Sequence, residues 1–299
     1  MIDNLLLLTQ VPILGVDLVI QGLFIGAIFA LVAYGLALVW GVMNVKNLAQ
    51  GDMVILGGYI SYQATLWGYH PIVALPVAIV VMFMLGWLIY AVIIRRVVDR
   101  DMFTSLLATF GLSLLIQQIL NLIYGPEVKV ADAGFGDFEL GTFIVIQNVR
   151  LYSLLMAAAL ALAIVIFMKK SRMGQAIRAT AQDARAARVL GIDTDQVYAF
   201  TYALNAAICG AAGVLVAMIW VIQPYYGIVY SIRAFIIVTA AGLGNLPGVI
   251  LTGFGLGVWE NVAGFVFGAE FAVAAVVLML VAVLMYRLVQ LYRVRQVVR

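Results

Sequence analysis

The chain has 299 residues, of which 66% are hydrophobic and 10% charged. A soluble domain runs nearer half apolar and a quarter charged, so these proportions, with a mean hydropathy of +1.13, describe a polytopic membrane protein and leave no room for a soluble catalytic domain. The balance of 17 Lys and Arg against 14 Asp and Glu gives +3, too small and dispersed for a nucleic-acid binder. One Cys (Cys209) and one His (His70) exclude a disulfide framework and a Cys/His metal cluster, and no cofactor is expected.

The first residues carry Asp3 in place of Lys or Arg, and no small-residue cleavage site follows, so a removable signal peptide is not expected. Apolar runs then fall at 16–42, 47–67, 71–94, 104–124, 151–168, 196–221, 228–244, 247–267 and 271–288. The second and seventh are short and broken by glycine, which makes either a broken or re-entrant segment. Continuously apolar runs such as Leu154 to Met168 lack the two-residue alternation of barrel strands. The expectation is an all-α polytopic transmembrane bundle with eight to nine crossings, one or two of them broken or re-entrant.

Lys and Arg between the runs set the orientation. They concentrate in 95–101 (Arg95, Arg96, Arg100), in 169–195 (Lys169, Lys170, Arg172, Arg178, Arg185, Arg188) and in the tail (Arg287, Arg293, Arg295, Arg299), all three assigned to the cytoplasm. The acidic segment 125–150 (Glu127, Asp132, Asp137, Glu139 against Lys129, Arg150) and the N-terminus (Asp3, Asp17) are assigned outside. Nine crossings bring an outside N-terminus to a cytoplasmic C-terminus.

Segment 169–195 is long and alanine-rich, with good helix formers. Gln175 to Leu190 reads as one surface helix, with Gly191 at the C-cap and Asp193 to Gln196 at capping-box spacing for the next span. Ile177, Ala181, Ala184 and Leu190 fall near one face and Arg178, Arg185 and Arg188 elsewhere. That weak amphipathicity suits either a protein partner or a bed of anionic lipid headgroups.

Two stretches, Trp40 to Tyr59 and Val238 to Gly257, combine glycine, amides or carboxylate with short apolar runs at corresponding positions of the two halves. Backbone freed at membrane depth is tolerated only against protein or a water-filled cavity, so such breaks point to a transport pathway. Asn47, Gln50 and Asp52 are the pathway candidates of the first stretch, whereas Gly253 and Gly257 equally suit tight helix packing. Arg233 and Glu260 lie 13 residues before and 14 after Leu246. Antiparallel helices put them at nearly equal depth as a buried ion pair, the usual way to keep charge in a membrane. Gln117, Gln118 and Asn121 form a further polar patch at helical spacing.

The stretches Gly35 to Tyr59, Ala108 to Gln117, Ser171 to Val197 and Ala234 to Glu260 resemble the permease subunits of bacterial ABC importers for branched-chain amino acids, of the LivH type. The resemblance implies a single permease domain over residues 1–299 in the bacterial inner membrane. It implies three kinds of partner: ABC ATPase subunits, a second permease (LivM-like or an identical chain) and a periplasmic solute-binding protein. Segment 169–195 becomes the loop that seats in the ATPase, a role carried by Gly174, Arg178, Asp183, Ala187 and Gly191. Gln117 joins the pathway residues. At Asn47 to Asp52 the family motif reads Asn-Phe-Ala-His-Gly-Glu, where this chain has Leu48, Gln50 and Asp52 in place of Phe, His and Glu.

No Gly-Lys dipeptide occurs, so no phosphate-binding G-x-x-x-x-G-K-[ST] loop exists and any ATP must be hydrolysed by another chain. His70, set in a loop before Pro71, has no nucleophile or metal constellation around it, which leaves no enzyme reading. The alternatives are an ion-coupled secondary transporter, for which Asp52 is the lone intramembrane carboxylate to hold the ion, and an ABC permease for urea or short amides.

Overall fold

The protein is described by a computed structural model over residues 7, 10–98, 100–131, 134, 137–140, 144–242 and 244–297. Asp3, Asp132 and Arg299, used above as topology signals, lie outside the described residues. The helices in chain order are α1 (Pro12–Met43), α2 (Gln50–Leu66), α3 (Ala74–Val92), α4 (Met102–Tyr124), α5 (Asn148–Lys170), α6 (Arg172–Gln182), α7 (Ala184–Val189), α8 (Thr194–Ile219), α9 (Gly227–Ala241), α10 (Leu246–Phe267) and α11 (Ala272–Val297). Between α4 and α5 a small antiparallel hairpin pairs β1 (Asp137–Leu140) with β2 (Ile144–Gln147).

Among the described residues, eight segments are long and apolar enough to cross a membrane. Of the helices outside these eight, α2 is the longest, with 17 residues, about 26 Å at 1.5 Å per residue, a little under the roughly 30 Å hydrocarbon core. It is a broken span, and the irregular residues 44–49 supply the missing length. By contrast α1 has 32 residues, about 48 Å, and from Gly26 to Val39 it is buried on every side, which suits a helix apolar around its circumference. With α8 it forms the centre of the bundle, while α4, α5 and α11 turn most of their surface outward.

Side-chain neighbours fix the relative directions. Helix α2 runs parallel to α4 (Asp52 beside Ser113, Gln63 beside Tyr124) and to α8 (Gln50 beside Asn205). It runs antiparallel to α9, where Gly227 meets Asp52 and Ser231 meets Leu48. One end of the bundle therefore carries the α5–α8 connection and the turn after α3, which Arg95 ties to Asp195 at 2.8 Å. The other end carries the α4–α5 connection, bridged to the α8–α9 connection between Lys129, just after α4, and Ile222.

Helices α1 and α10 approach closely through glycines on both sides. A Cβ on Gly22 or Gly26 would meet the α10 backbone at Gly257, Val258, Gly253 and Phe254, and one on Gly257 would meet the backbone of Gly22 and Gly26. Glycine at four-residue spacing on both helices lets the two backbones touch. Gly257→Leu should therefore lower the melting temperature of the purified protein strongly. Gly255→Leu, two residues away with open space around it, should leave it unchanged. Equal melting of the two variants would refute this packing account.

The single helix expected over Gln175 to Leu190 is instead two, α6 and α7, broken at Asp183. That residue is extended (φ −156, ψ 107), and its carboxylate accepts the backbone N–H groups of Arg185 (2.8 Å) and Ala186 (3.0 Å). An aspartate that bonds the backbone two and three residues ahead starts a new helix more readily than it continues an old one.

Candidate functional site

The break between α1 and α2 is held by side chains of other helices. Helix α1 stops at Asn44, which takes the left-handed conformation (φ 53) that asparagine tolerates better than most residues. From α4, the Thr109 hydroxyl accepts the Leu48 N–H (3.2 Å) and lies 3.1 Å from the Lys46 carbonyl. From α9, the Ser231 hydroxyl accepts the Gly51 N–H (2.8 Å) and donates to the Leu48 carbonyl (2.9 Å). Backbone groups freed at membrane depth are thus satisfied by protein.

The candidate residues of the break are buried in two polar clusters. In the first, Gln50 donates to the Val32 carbonyl and to Asn205 Oδ1, both at 2.9 Å, and Asn205 Nδ2 donates back to Gln50 Oε1 at 3.1 Å. Asn47 Nδ2 adds a bond to the same oxygen at 3.3 Å. In the second, the Asp52 carboxylate accepts Ser113 Oγ–H at 2.5 Å and Gln117 Nε2–H at 2.9 Å. Asp52 is 1% exposed, and a Cβ at Gly227 would collide with its carboxylate, so glycine at 227 lets α9 close over the acid. Asn205, Ser113, Thr109 and Ser231 were not singled out from the sequence. An isolated hydroxyl or amide in an apolar helix was the available signal, and its partner lies on another helix.

Arg233 and Glu260 meet as a bidentate pair, Nε to Oε2 at 2.8 Å and Nη2 to Oε1. The guanidinium stacks on Phe29, 4.9 Å from the ring centroid, a favourable cation–π geometry. The pair borders a cavity of about 630 Å³ among α1, α9 and α10, whose walls include Trp220, Tyr226 and Tyr230. Asn261 beside it donates to the Leu18 carbonyl at 2.7 Å.

At the opposite end, the α6–α7 loop is fixed by side-chain caps. Ser171 accepts the Gly174 N–H at 2.8 Å, Asp183 caps α7, and Asp193 caps α8 through Asp195 and Gln196 N–H. Backbone N–H donation from Ala186 and Arg185 holds the Asp183 carboxyl below the usual carboxylate range. With the folded value depressed, this cap contributes above the unfolded carboxylate pKa and is lost as pH falls through the folded one. Gly191 turns the chain at φ +84. Of the five residues assigned to this loop, Gly174 and Ala187 are buried against the bundle, whereas Arg178, Asp183 and Gly191 are exposed. Gly174 packs on the Phe167 and Met168 backbone, where no Cβ fits. The outward tip is apolar, with Val189 87% and Leu190 80% exposed.

Comparison with known proteins agrees with this architecture. The family model described as branched-chain amino acid transport system / permease component matches residues 18–287. The chain belongs to this permease family. It is similar to the high-affinity branched-chain amino acid transport system permease protein LivH of Escherichia coli K12, 31% identical over 268 residues, 84% of this chain and 86% of the relative. BraD of Pseudomonas aeruginosa is 28% identical over 283 residues, covering 90% and 92%. A probable LivH of Methanocaldococcus jannaschii is 27% identical over 295 residues, covering 93% and 92%. Among solved structures, PsaBC from Streptococcus pneumoniae in complex with Fab shares the fold, with a TM-score of 0.53 at 12% identity over 95% of each chain. The chain is thus a multi-pass membrane permease component, not itself a catalytic ATPase.

Proposed function

We propose that this chain is the membrane-spanning permease subunit of an ABC importer for branched-chain amino acids, receiving them from a periplasmic binding protein and driven by ATP hydrolysed on partner subunits. The match of the family model to residues 18–287 carries the reading. The capped α6–α7 loop supports it, because a rigid loop with an exposed apolar tip suits docking better than tethering. Asp52, 1% exposed and covered by α9 at Gly227, gives no support to the ion-coupled alternative. Reconstitution with the ATPase, binding protein and second permease, LivM-like or identical, should give ATP-dependent leucine uptake. Uptake of urea or short amides but not leucine would move the substrate, and uptake without ATP would end the importer reading.

In this proposal the whole chain acts as one translocation domain, and Asn47, Gln50, Asp52 and Gln117 line or gate the pathway at the helix break. The N-terminus faces the periplasm, and the α6–α7 loop and the C-terminus face the cytoplasm. With Cys209 replaced by Ala, an impermeant thiol reagent on intact cells should label Tyr69→Cys, in the exposed turn after α2, and not Gln175→Cys, on the outer side of α6. The reverse pattern would invert the topology.

A further inference from the structure

We propose that the cavity over the Arg233–Glu260 pair is a binding site for a zwitterionic α-amino acid with an apolar side chain; the assignment to amino acids rests on the importer reading, whereas the zwitterion chemistry stands on the geometry. The site lies toward the end of the bundle away from the α6–α7 loop. Glu260 is seven residues from Phe267, where α10 ends, about 10 Å along the helix. On the proposed topology, that end faces the arriving solute.

A charged pair at this depth has no need of a cavity if its role is architectural. Well-packed apolar side chains of similar volume usually serve stability as well or better. Here both charged side chains reach the open space, with 14% and 13% exposure, and neither is exhausted by the other. Of the five guanidinium N–H groups, two go to Glu260 and a third reaches the Val229 carbonyl at a long 3.5 Å. The carboxylate has used two of its roughly four acceptor positions. The pair therefore offers donors and acceptors side by side, the complement of an α-carboxylate next to an α-ammonium.

The remaining walls suit an apolar side chain. Ile25, Phe29, Trp220 and Tyr230 border the cavity, whose volume of about 630 Å³ lies in the usual range for small-molecule sites. The junction clusters offer no such opening, because Asp52 and Gln50 are 1% and 0% exposed. Helix α9 separates the two places. Gly227 and Ser231 face α2, while Tyr226, Tyr230 and Arg233 face the cavity. A phosphoethanolamine lipid headgroup carries the same pair of charges and is the other source of this chemistry.

The test is leucine binding to the assembled permease and ATPase complex without binding protein, followed by saturation-transfer NMR. Two analogues each lack one charge: 4-methylpentanoate and 3-methylbutylamine. Leucine should bind, and each analogue should bind at least about tenfold more weakly, because the pair's unmatched group stays desolvated and unpaired. Arg233→Met with Glu260→Met, which strands no charge, should abolish the leucine signal without lowering the melting temperature. Ile25→Trp fills the cavity without touching the pair and should also weaken leucine, which keeps the test open if the double variant does not assemble. Analogues that bind as well as leucine, or unchanged leucine binding in both the double variant and Ile25→Trp, would overturn the site. Binding of phosphatidylethanolamine but not leucine, with phosphatidylglycerol as control, would overturn the amino-acid assignment. Leucine binding that persists in a complex unable to transport leucine would count against the importer reading and in favour of the site.

Discussion

Val189→Asp combined with Leu190→Asp is expected to reduce ATP hydrolysis stimulated by loaded binding protein at least about tenfold, with the permease still inserted and melting as the wild type does. Both side chains stand 87% and 80% exposed at the end of α7, so they bury little area in the isolated chain, and polar replacement of exposed side chains changes folding stability little. An apolar pair displayed on a rigid, capped loop loses that exposure only when a partner covers it. Introducing two carboxylates into that contact opposes docking by desolvation as well as lost area. Ala187→Trp is the contrasting variant. Ala187 is buried on the inner face of α7, so the added ring should cost stability by overpacking before it affects docking. Stimulated hydrolysis in the double aspartate variant equal to that of the wild type would remove the tip from the ATPase contact.

The bundle was legible in the sequence because its strongest signal is length of apolar run, and each run is set by the bilayer instead of by distant contacts. The break at Asn44 to Ala49 was visible for the same reason, since polar residues interrupt a run that has no local cause to stop. The caps were legible too. Gly191 and Asp193 act within three residues of themselves, and both sit where their side-chain chemistry places them. Asp183 was misread because helix propensity summed over an alanine-rich window outweighs one residue, although its carboxylate bonded to two backbone N–H groups decides the local structure. The equal spacing of Arg233 and Glu260 about the α9–α10 turn put them at one depth, since a hairpin converts sequence distance into height. No such rule connects Asp52 to Ser113 or Gln50 to Asn205, which lie 61 and 155 residues apart. Their pairing depends on the packing of α2 between α4 and α8, and a lone serine or asparagine in an apolar helix does not say which neighbour it meets.

Gln50→Leu and Asn205→Val, made singly and together, separate architecture from pathway at the helix break. Each amide donates to and accepts from the other, so removing one strands a buried donor and acceptor on its partner, at about 1–3 kcal/mol per unsatisfied group. Gln50→Leu also frees the Val32 carbonyl and the Asn47 amide and should be the worse single variant. With both amides replaced by apolar groups the mutual penalty disappears. The double variant should therefore be less destabilised than the sum of the singles, with a coupling of about 1–3 kcal/mol, the range for residues in direct contact. Thermal melting of the purified protein measures the coupling, and strict additivity would exclude the reciprocal pair. Leucine uptake by the reconstituted complex then reads the second role. A purely architectural pair should regain transport in step with stability. If the break gates the pathway, uptake by the double variant should stay well below wild type after stability has recovered, because the paired amides that tie α2 to α8 at the break are gone. The second outcome is expected, since a membrane helix that needed only to pack would have filled this position with apolar side chains at lower cost.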